Sequence, residues 1–427
     1  MTNNTLWNLG FETIKELEVD QGILASGKEE IYGCIFGRDS LITSLKLLRV
    51  FENTKDPYFL GLVKKILSNI IVLQGKEINI ESGEEPGKCI HEYRPSGHEH
   101  LTKSLSETPW YLYPDNIMRN YDTVDGTPLL LIALYRYYQA SKDIIFIEET
   151  LPNARLALEW MIKYGDTNGD GFIDYGLSSE RKFGGLVTQS WMDSPESVFH
   201  EDESPVTYPI APVEAQSYAF LALSLWARYF KKSDKVYSET LQDHANTLKS
   251  LFNNSFIIRD EMGVSLATGI DGSGKPITSA RSSMGHCMWA CLEESRDGIQ
   301  ESIILDEFIP EIAERIMKPD LFAPKAGIRT LSTLSRCYMP NSYHNGSIWP
   351  HDTSIVAEGL ELFGYKENAL RIREALMNAL THFNTPIELF VYDEDFSEYC
   401  DSLGKGACKK QAWSAASLLK DMSTVTN

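Results

Sequence analysis

The chain lacks any apolar run near the roughly 20 residues that cross a bilayer; its longest, around Pro128–Leu134 and Ser68–Leu73, are far shorter. Its first residues, MTNNTLWNLGFE, carry neither the basic nor the apolar region of a secretory signal, so a cytoplasmic protein is expected. Basic side chains are in deficit: 40 Lys and Arg stand against 60 Asp and Glu, a formal charge of -20. Such a surface repels nucleic-acid phosphates and anionic lipid, which leaves a neutral ligand as the expected partner. Oligomeric state is not encoded in these numbers. Cysteine is scarce and odd in number, seven in all, and Cys287 and Cys291 have no matching His/Cys quartet. Reduced thiols are expected rather than disulfides or a zinc site, and no metal or cofactor is implied. Also absent are the GxxxxGK[ST] and GxGxxG phosphate cradles, the GxSxG elbow, HExxH and CxxC. No Pro/Ser-rich linker or charge block divides the 427 residues, so 1–427 reads as one domain.

What is present is helical periodicity. Apolar residues recur at 3.6-residue spacing over Ser40–Phe51, Tyr58–Leu73, Pro128–Ala140, Pro152–Tyr164, Pro212–Phe230, Lys235–Phe252, Thr353–Phe363 and Lys366–His382. Two kinds are distinguishable. Lys235–Phe252 and Lys366–His382 mix charge with periodic apolar residues and predict one wet face, whereas TPLLLIALYRYY and PVEAQSYAFLALSLWARYF are apolar nearly all round and predict burial.

Before the apolar helices stand aromatic and polar segments: FGRDS, YDTVDGTP, YPIAPVEAQ, ITSARSSMGH, HNGSIWPHD and CKKQAW. Pro128, Pro212 and Asp39 sit where N1 or N-cap residues belong. The markers Asp39, Asp125, Pro212, Arg281, Pro350 and Gln411 are 86, 87, 69, 69 and 61 residues apart, room each time for a buried helix and a return helix. With Thr5–Asp20 as a first outer helix the count reaches twelve. The expected fold is all-α, a barrel of six inner and six outer helices with little β structure in its loops. A helical solenoid, the alternative, would need a more regular period.

If the six loops share one end, the cavity there gathers Arg38, Asp39, Tyr121, Asp125, Trp191, Asp193, Glu214, Arg329, His344, Trp349, His351, Asp352, Glu388 and Trp413. Sugars bind such cavities because C–H faces pack on flat rings while carboxylates and guanidinium groups take up the hydroxyls. Glycosidic cleavage needs a protonated carboxyl beside the leaving oxygen and an ionised one on the other side. Asp193 follows Trp191 in LVTQSWMDSPES, where the ring can desolvate a carboxyl, and is the candidate acid. Glu388, in the extended stretch NTPIELFVYDED, is the candidate base, with Glu394 and Glu398 as competitors. Each of these carboxylates also has the plain reading of a surface charge or helix cap, and Asp39 that of a cap on the Ser40 helix. Trp349 and Trp413 have that of core residues. DTNGDGFIDYG at 166–176 resembles half of a calcium loop, but Leu177 replaces the twelfth-position Glu, so a tight turn is the better account.

Nine segments in order resemble the catalytic domain of glycogen debranching enzymes of the amylo-alpha-1,6-glucosidase type, and more distantly six-hairpin glycosidases such as glucoamylases. They are FGRDSLI (36–42), EEPGKCIHEYR (84–94), YDTVDGTPLLLIALYRYY (121–138), GDTNGDGFIDYG (165–176), QSWMDS (189–194), PVEAQSYAFLAL (212–223), GIRTLS (327–332), YHNGSIWPHDTSIVAEGL (343–360) and KQAWSAASLL (410–419). The resemblance implies a six-fold alpha/alpha barrel hydrolysing alpha-glycosidic, in that family alpha-glucosidic, bonds with inversion. It implies Asp193 as acid, Glu388 as base, Arg38 and Asp39 gripping the sugar, and Arg329, His344, Trp349, His351 and Asp352 lining its subsite. Debranching enzymes carry a further domain ahead of the barrel, whereas here the barrel pattern begins almost at once, which points to an oligosaccharide or small glycoside. A sugar phosphorylase or epimerase, an alpha-mannoside hydrolase and an inactive sugar-binding scaffold are the rival expectations.

Overall fold

The computed structural model describes residues 3–104, 107–293 and 300–425. Among them are thirteen α-helices: α1 (Asn3–Leu17), α2 (Gly37–Thr54), α3 (Pro57–Val72), α4 (Glu99–Thr102), α5 (Gly126–Ser141), α6 (Ile144–Lys163), α7 (Val213–Phe230), α8 (Lys235–Ser255), α9 (Ser283–Trp289), α10 (Ile309–Ile316), α11 (Pro350–Leu362), α12 (Lys366–Phe383) and α13 (Ala412–Val425). Strands are short, two to four residues, and antiparallel.

The two kinds of helix separate as their patterns demand. In α7 every residue from Val213 to Ala227 is buried, and in α11 every residue from Pro350 to Leu360. In α8 burial falls on Ser238, Leu241, Ala245, Leu248 and Phe252, a single stripe at helical spacing. Packing follows the same division. Helices α2, α5, α7, α9, α11 and α13 each touch the next, and α13 returns to α2. Around them α1 packs on α13, α3 on α2, α6 on α5, α8 on α7, α10 on α9 and α12 on α11. No helix among the described residues is long and apolar enough to cross a membrane. All seven cysteines are free thiols, five of them buried.

Three sequence expectations shift. Pro152 lies inside α6 rather than at its start, because Asp143 caps the helix eight residues earlier by accepting from the Phe146 N–H at 3.1 Å. Asp39 does not cap α2: the N-cap position is Phe36, and Asp39 sits in the first turn, where its carboxylate accepts from Gln411 Nε2 at 3.1 Å. Pro128 is the third residue of α5, not its first. The 166–176 loop is a turn satisfied by its own backbone: Asp166 accepts from the N–H groups of Gly169, Asp170 and Gly171 at 2.7, 3.2 and 2.9 Å. Among the described residues no cluster of three or more His, Cys, Asp or Glu is placed to hold a metal.

Candidate active site

A cavity of about 250 Å³ opens where loops leading into α2, α11 and α13 meet the segment around Trp191. Its first element is set by a backbone contact. Gly37 donates to the His91 carbonyl at 2.9 Å, and a Cβ there would stand 2.0 Å from the Ile90 carbonyl oxygen, so only glycine lets α2 start against that strand. The next two residues, Arg38 and Asp39, are thereby aimed into the cavity.

Arg38 organises the acidic side. Its Nε donates to Asp125 at 2.7 Å, Nη1 to Asp193 Oδ2 at 3.2 Å, and Nη2 to the Ser190 carbonyl at 2.8 Å. Asp125 is fully buried, while the Asp193 side chain keeps 25% exposure toward the cavity. Burial raises Asp193 to about 6 against the pull of Arg38. Burial likewise raises Asp39 to about 7, again opposed by Arg38. Two carboxyls raised toward neutrality can exchange protons at ordinary pH.

Glu388 lines the same cavity, just ahead of the strand Phe390–Asp393, and is 2% exposed. Its Oε1 accepts from the Tyr343 hydroxyl at 2.5 Å and its Oε2 from the Cys408 N–H at 2.8 Å. Burial raises it to about 7, with those donors pulling it down. The competitors lie elsewhere. Glu394 is at the exposed tip of the Phe390–Glu398 hairpin, and Glu398 is exposed and paired with Lys409.

Aromatic side chains supply the rest. Trp191, Trp349 and Trp413 all line the cavity, with Trp191 and Trp349 edge to face at 5.8 Å. His344 lines it too, stacked on Trp349 at 5.1 Å. The Ser194 N–H donates to His344 Nδ1 at 3.3 Å, which leaves the proton of the neutral ring on Nε2; burial holds this histidine well below its ordinary range.

Six expected lining residues do not line this cavity. Tyr121 turns its hydroxyl to the Leu73 carbonyl at 3.0 Å. Asp125 sits behind Arg38 as its counter-ion. Glu214 faces a separate, smaller cavity shared with Arg281. Arg329 donates to the Pro319 carbonyl at 3.1 Å. His351 is buried flat against Trp413, ring centroids 3.7 Å apart, and Asp352 is fully buried with His286 Nε2 at 2.8 Å. Conversely, Tyr32, Tyr343, Glu92, Arg94, Trp110, Lys405 and Gln411 line the cavity without having been singled out. Gln411 and Tyr343 stood inside quoted motifs; Tyr32 and Lys405 carried no signal.

Residues 215–414, somewhat under half of the chain, match the family model of the mannosylglycerate hydrolase MGH1-like glycoside hydrolase domain. No curated protein matches in sequence. Among solved structures, a GH63 mannosylglycerate hydrolase from Thermus thermophilus in complex with Tris shares the fold at TM-score 0.64 and 14% identity, over 97% of this chain and 99% of that one. A rhamnosidase from Klebsiella oxytoca with rhamnose bound aligns at TM-score 0.59 and 14% identity, over 98% of this chain and 63% of that one. These likenesses show a shared fold and nothing specific to glycogen debranching. With the domain match, they make the chain a glycoside hydrolase acting on O-glycosidic bonds.

Proposed function

We propose that the chain is a single catalytic domain over 1–427, a six-fold alpha/alpha barrel, that hydrolyses a small alpha-linked glycoside with inversion in the cytoplasm. The cyclic packing of the six buried helices supports the barrel. Asp193 protonates the bridging oxygen as the bond to the aglycone breaks, and Glu388 removes a proton from the water attacking the opposite face. The anomeric carbon passes through a state with oxocarbenium character, and the carboxylates around it stabilise that charge.

The observation that carries this reading is the meeting of the two candidate carboxyls, one from each half of the sequence, in a single cavity with four tryptophans. Both are raised toward neutrality by burial, as proton-transfer groups must be. Arg38 and Asp39 grip the sugar, and His344, Trp349 and Trp413 flank it. At about 250 Å³ the cavity is at the small end of ligand sites and suits a short glycoside rather than a polymer branch.

An alpha-glucoside is the first expectation. A carboxylate-bearing aglycone is favoured by Lys405, which lies over the Tyr32 ring at 5.5 Å on the cavity lining and has no carboxylate within ion-pair distance among the described residues. A carboxylate on the aglycone would find its partner there. The Thermus protein, a mannosylglycerate hydrolase by name, was also seen with Tris and D-glycerate. The test is monosaccharide release from alpha-glucosides and alpha-mannosides with neutral and carboxylate-bearing aglycones, by the parent, Asp193→Asn and Glu388→Gln. Loss of release in both variants is the expected result. Undiminished release by both would remove the assigned roles, and sugar binding without cleavage by the parent would favour a scaffold.

A further inference from the structure

Glu388 is gripped at both oxygens. Tyr343 donates to Oε1 at 2.5 Å, and the Cys408 N–H donates to Oε2 at 2.8 Å. A carboxylate whose two oxygens each accept a fixed donor is held against rotation about Cγ–Cδ, so the lone pairs left over point in set directions. The backbone N–H is available whatever side chain stands at 408. The hydroxyl exists only because residue 343 is tyrosine.

Tyr343 is itself built in. Its ring meets His344 and Trp349 nearly at right angles, at 4.7 and 4.9 Å. Its carbonyl accepts from Trp349 Nε1 at 2.9 Å and from the Ser347 hydroxyl at 2.6 Å. Tyr32, on the loop before α2, lines the same cavity, so two loops far apart in sequence meet at the carboxylate.

We propose that Tyr343 is a positioning residue for hydrolysis: its hydroxyl aims the Glu388 carboxylate at the attacking water. This rests on the reading of Glu388 as the base. The same hydrogen bond favours the ionised carboxylate, because a hydroxyl donates to a charged oxygen more strongly than to a neutral one. Tyr343 stands first among the groups that pull Glu388 down against burial, with the Cys408 N–H and thiol behind it. The other titratable groups facing Glu388 are Glu30, which raises it, and Asp39, Tyr32 and Tyr399, each itself raised by Glu388.

The probes are alpha-D-glucosyl and alpha-D-mannosyl fluoride, since fluoride departs with little help from an acid and the rate then reports on the base. Tyr343→Phe, the protein carrying 3-fluorotyrosine in place of Tyr343, and Glu388→Gln are compared with the parent across pH, with near-UV circular dichroism to verify folding. Tyr343→Phe is expected to lower kcat roughly 10- to 100-fold, with KM within about twofold. It also moves the acidic limb of the kcat/KM profile to higher pH, because a carboxylate without its donor holds a proton more tightly. The fluorinated ring keeps the contacts of Tyr343, and its more acidic hydroxyl donates more strongly, so it moves the limb to lower pH and carries the test should Tyr343→Phe unfold. An unmoved limb in both folded variants, with activity lost in Glu388→Gln, overturns the positioning role and leaves the base standing. Full activity in Glu388→Gln, or no cleavage of either fluoride by the parent, overturns the base and this role together.

Discussion

Replacing Glu388 by glutamine should stabilise the protein, and by an amount that depends on pH. In the folded chain burial holds this carboxyl at about 7, against about 4.3 for a glutamate in an unfolded chain. A carboxyl raised on folding costs nothing below the unfolded value, where both states are protonated; its cost then grows with pH and is complete above the folded value. At pH 8 the difference is worth roughly 3–4 kcal/mol, and at pH 5 about 1 kcal/mol. Glutamine is isosteric but offers one acceptor where Tyr343 and the Cys408 N–H both donate, a loss on the order of 1 kcal/mol that does not vary with pH. The stability advantage of Glu388→Gln over the parent should therefore increase by roughly 2–3 kcal/mol between pH 5 and 8. Urea unfolding of both proteins at several pH values measures it, given matching m-values. A difference that is flat in pH, or that grows toward acid, would refute the claim that the fold holds this carboxyl near neutrality.

Arg38→Met leaves Asp125 fully buried without its counter-ion, so a loss of about 3–5 kcal/mol is expected in the same unfolding assay. Because Arg38 is the main group holding Asp193 down, the alkaline limb of any residual activity should move to higher pH. Asp193→Asn should cut turnover of a glycoside with a poor leaving group by roughly 10²–10⁴-fold while sparing much of the activity on a glycosyl fluoride; equal losses on both would deny it the role of acid. Gly37→Ala sets a methyl 2.0 Å from the Ile90 carbonyl oxygen and should destabilise by about 1–3 kcal/mol, read as a lower Tm.

The helices were legible because their signal is local. Apolar residues at 3.6 spacing must find a dry face, and the all-round apolar runs at 127–138 and 212–230 lie in the buried helices α5 and α7. Two weaker elements escaped explicit reading: α9 has seven residues and α10 eight, about two periods each and too short for a pattern to stand out. The cavity was legible at the level of loops but not of side chains. Around Asp193 alternate residues face opposite ways: Trp191 and Asp193 line the large cavity, while Ser190 and Met192 line the small one with Glu214. Tyr121, Asp125, His351 and Asp352 lie on or beside the expected loops and turn into the packing behind them, where hydrogen bonds and ring stacking set their direction. Tyr32 and Lys405 reach the cavity only because segments distant in sequence come together, which spacing along one chain does not encode.

The central claim concerns the side from which water attacks. Proton NMR of the first sugar released from an alpha-glycosyl fluoride, recorded before mutarotation, tests it directly. Attack by a Glu388-activated water on the face opposite the departing group produces the beta anomer first. The alpha anomer appearing first would mean retention, through a covalent intermediate, and would contradict the assignment of Asp193 and Glu388 as acid and base.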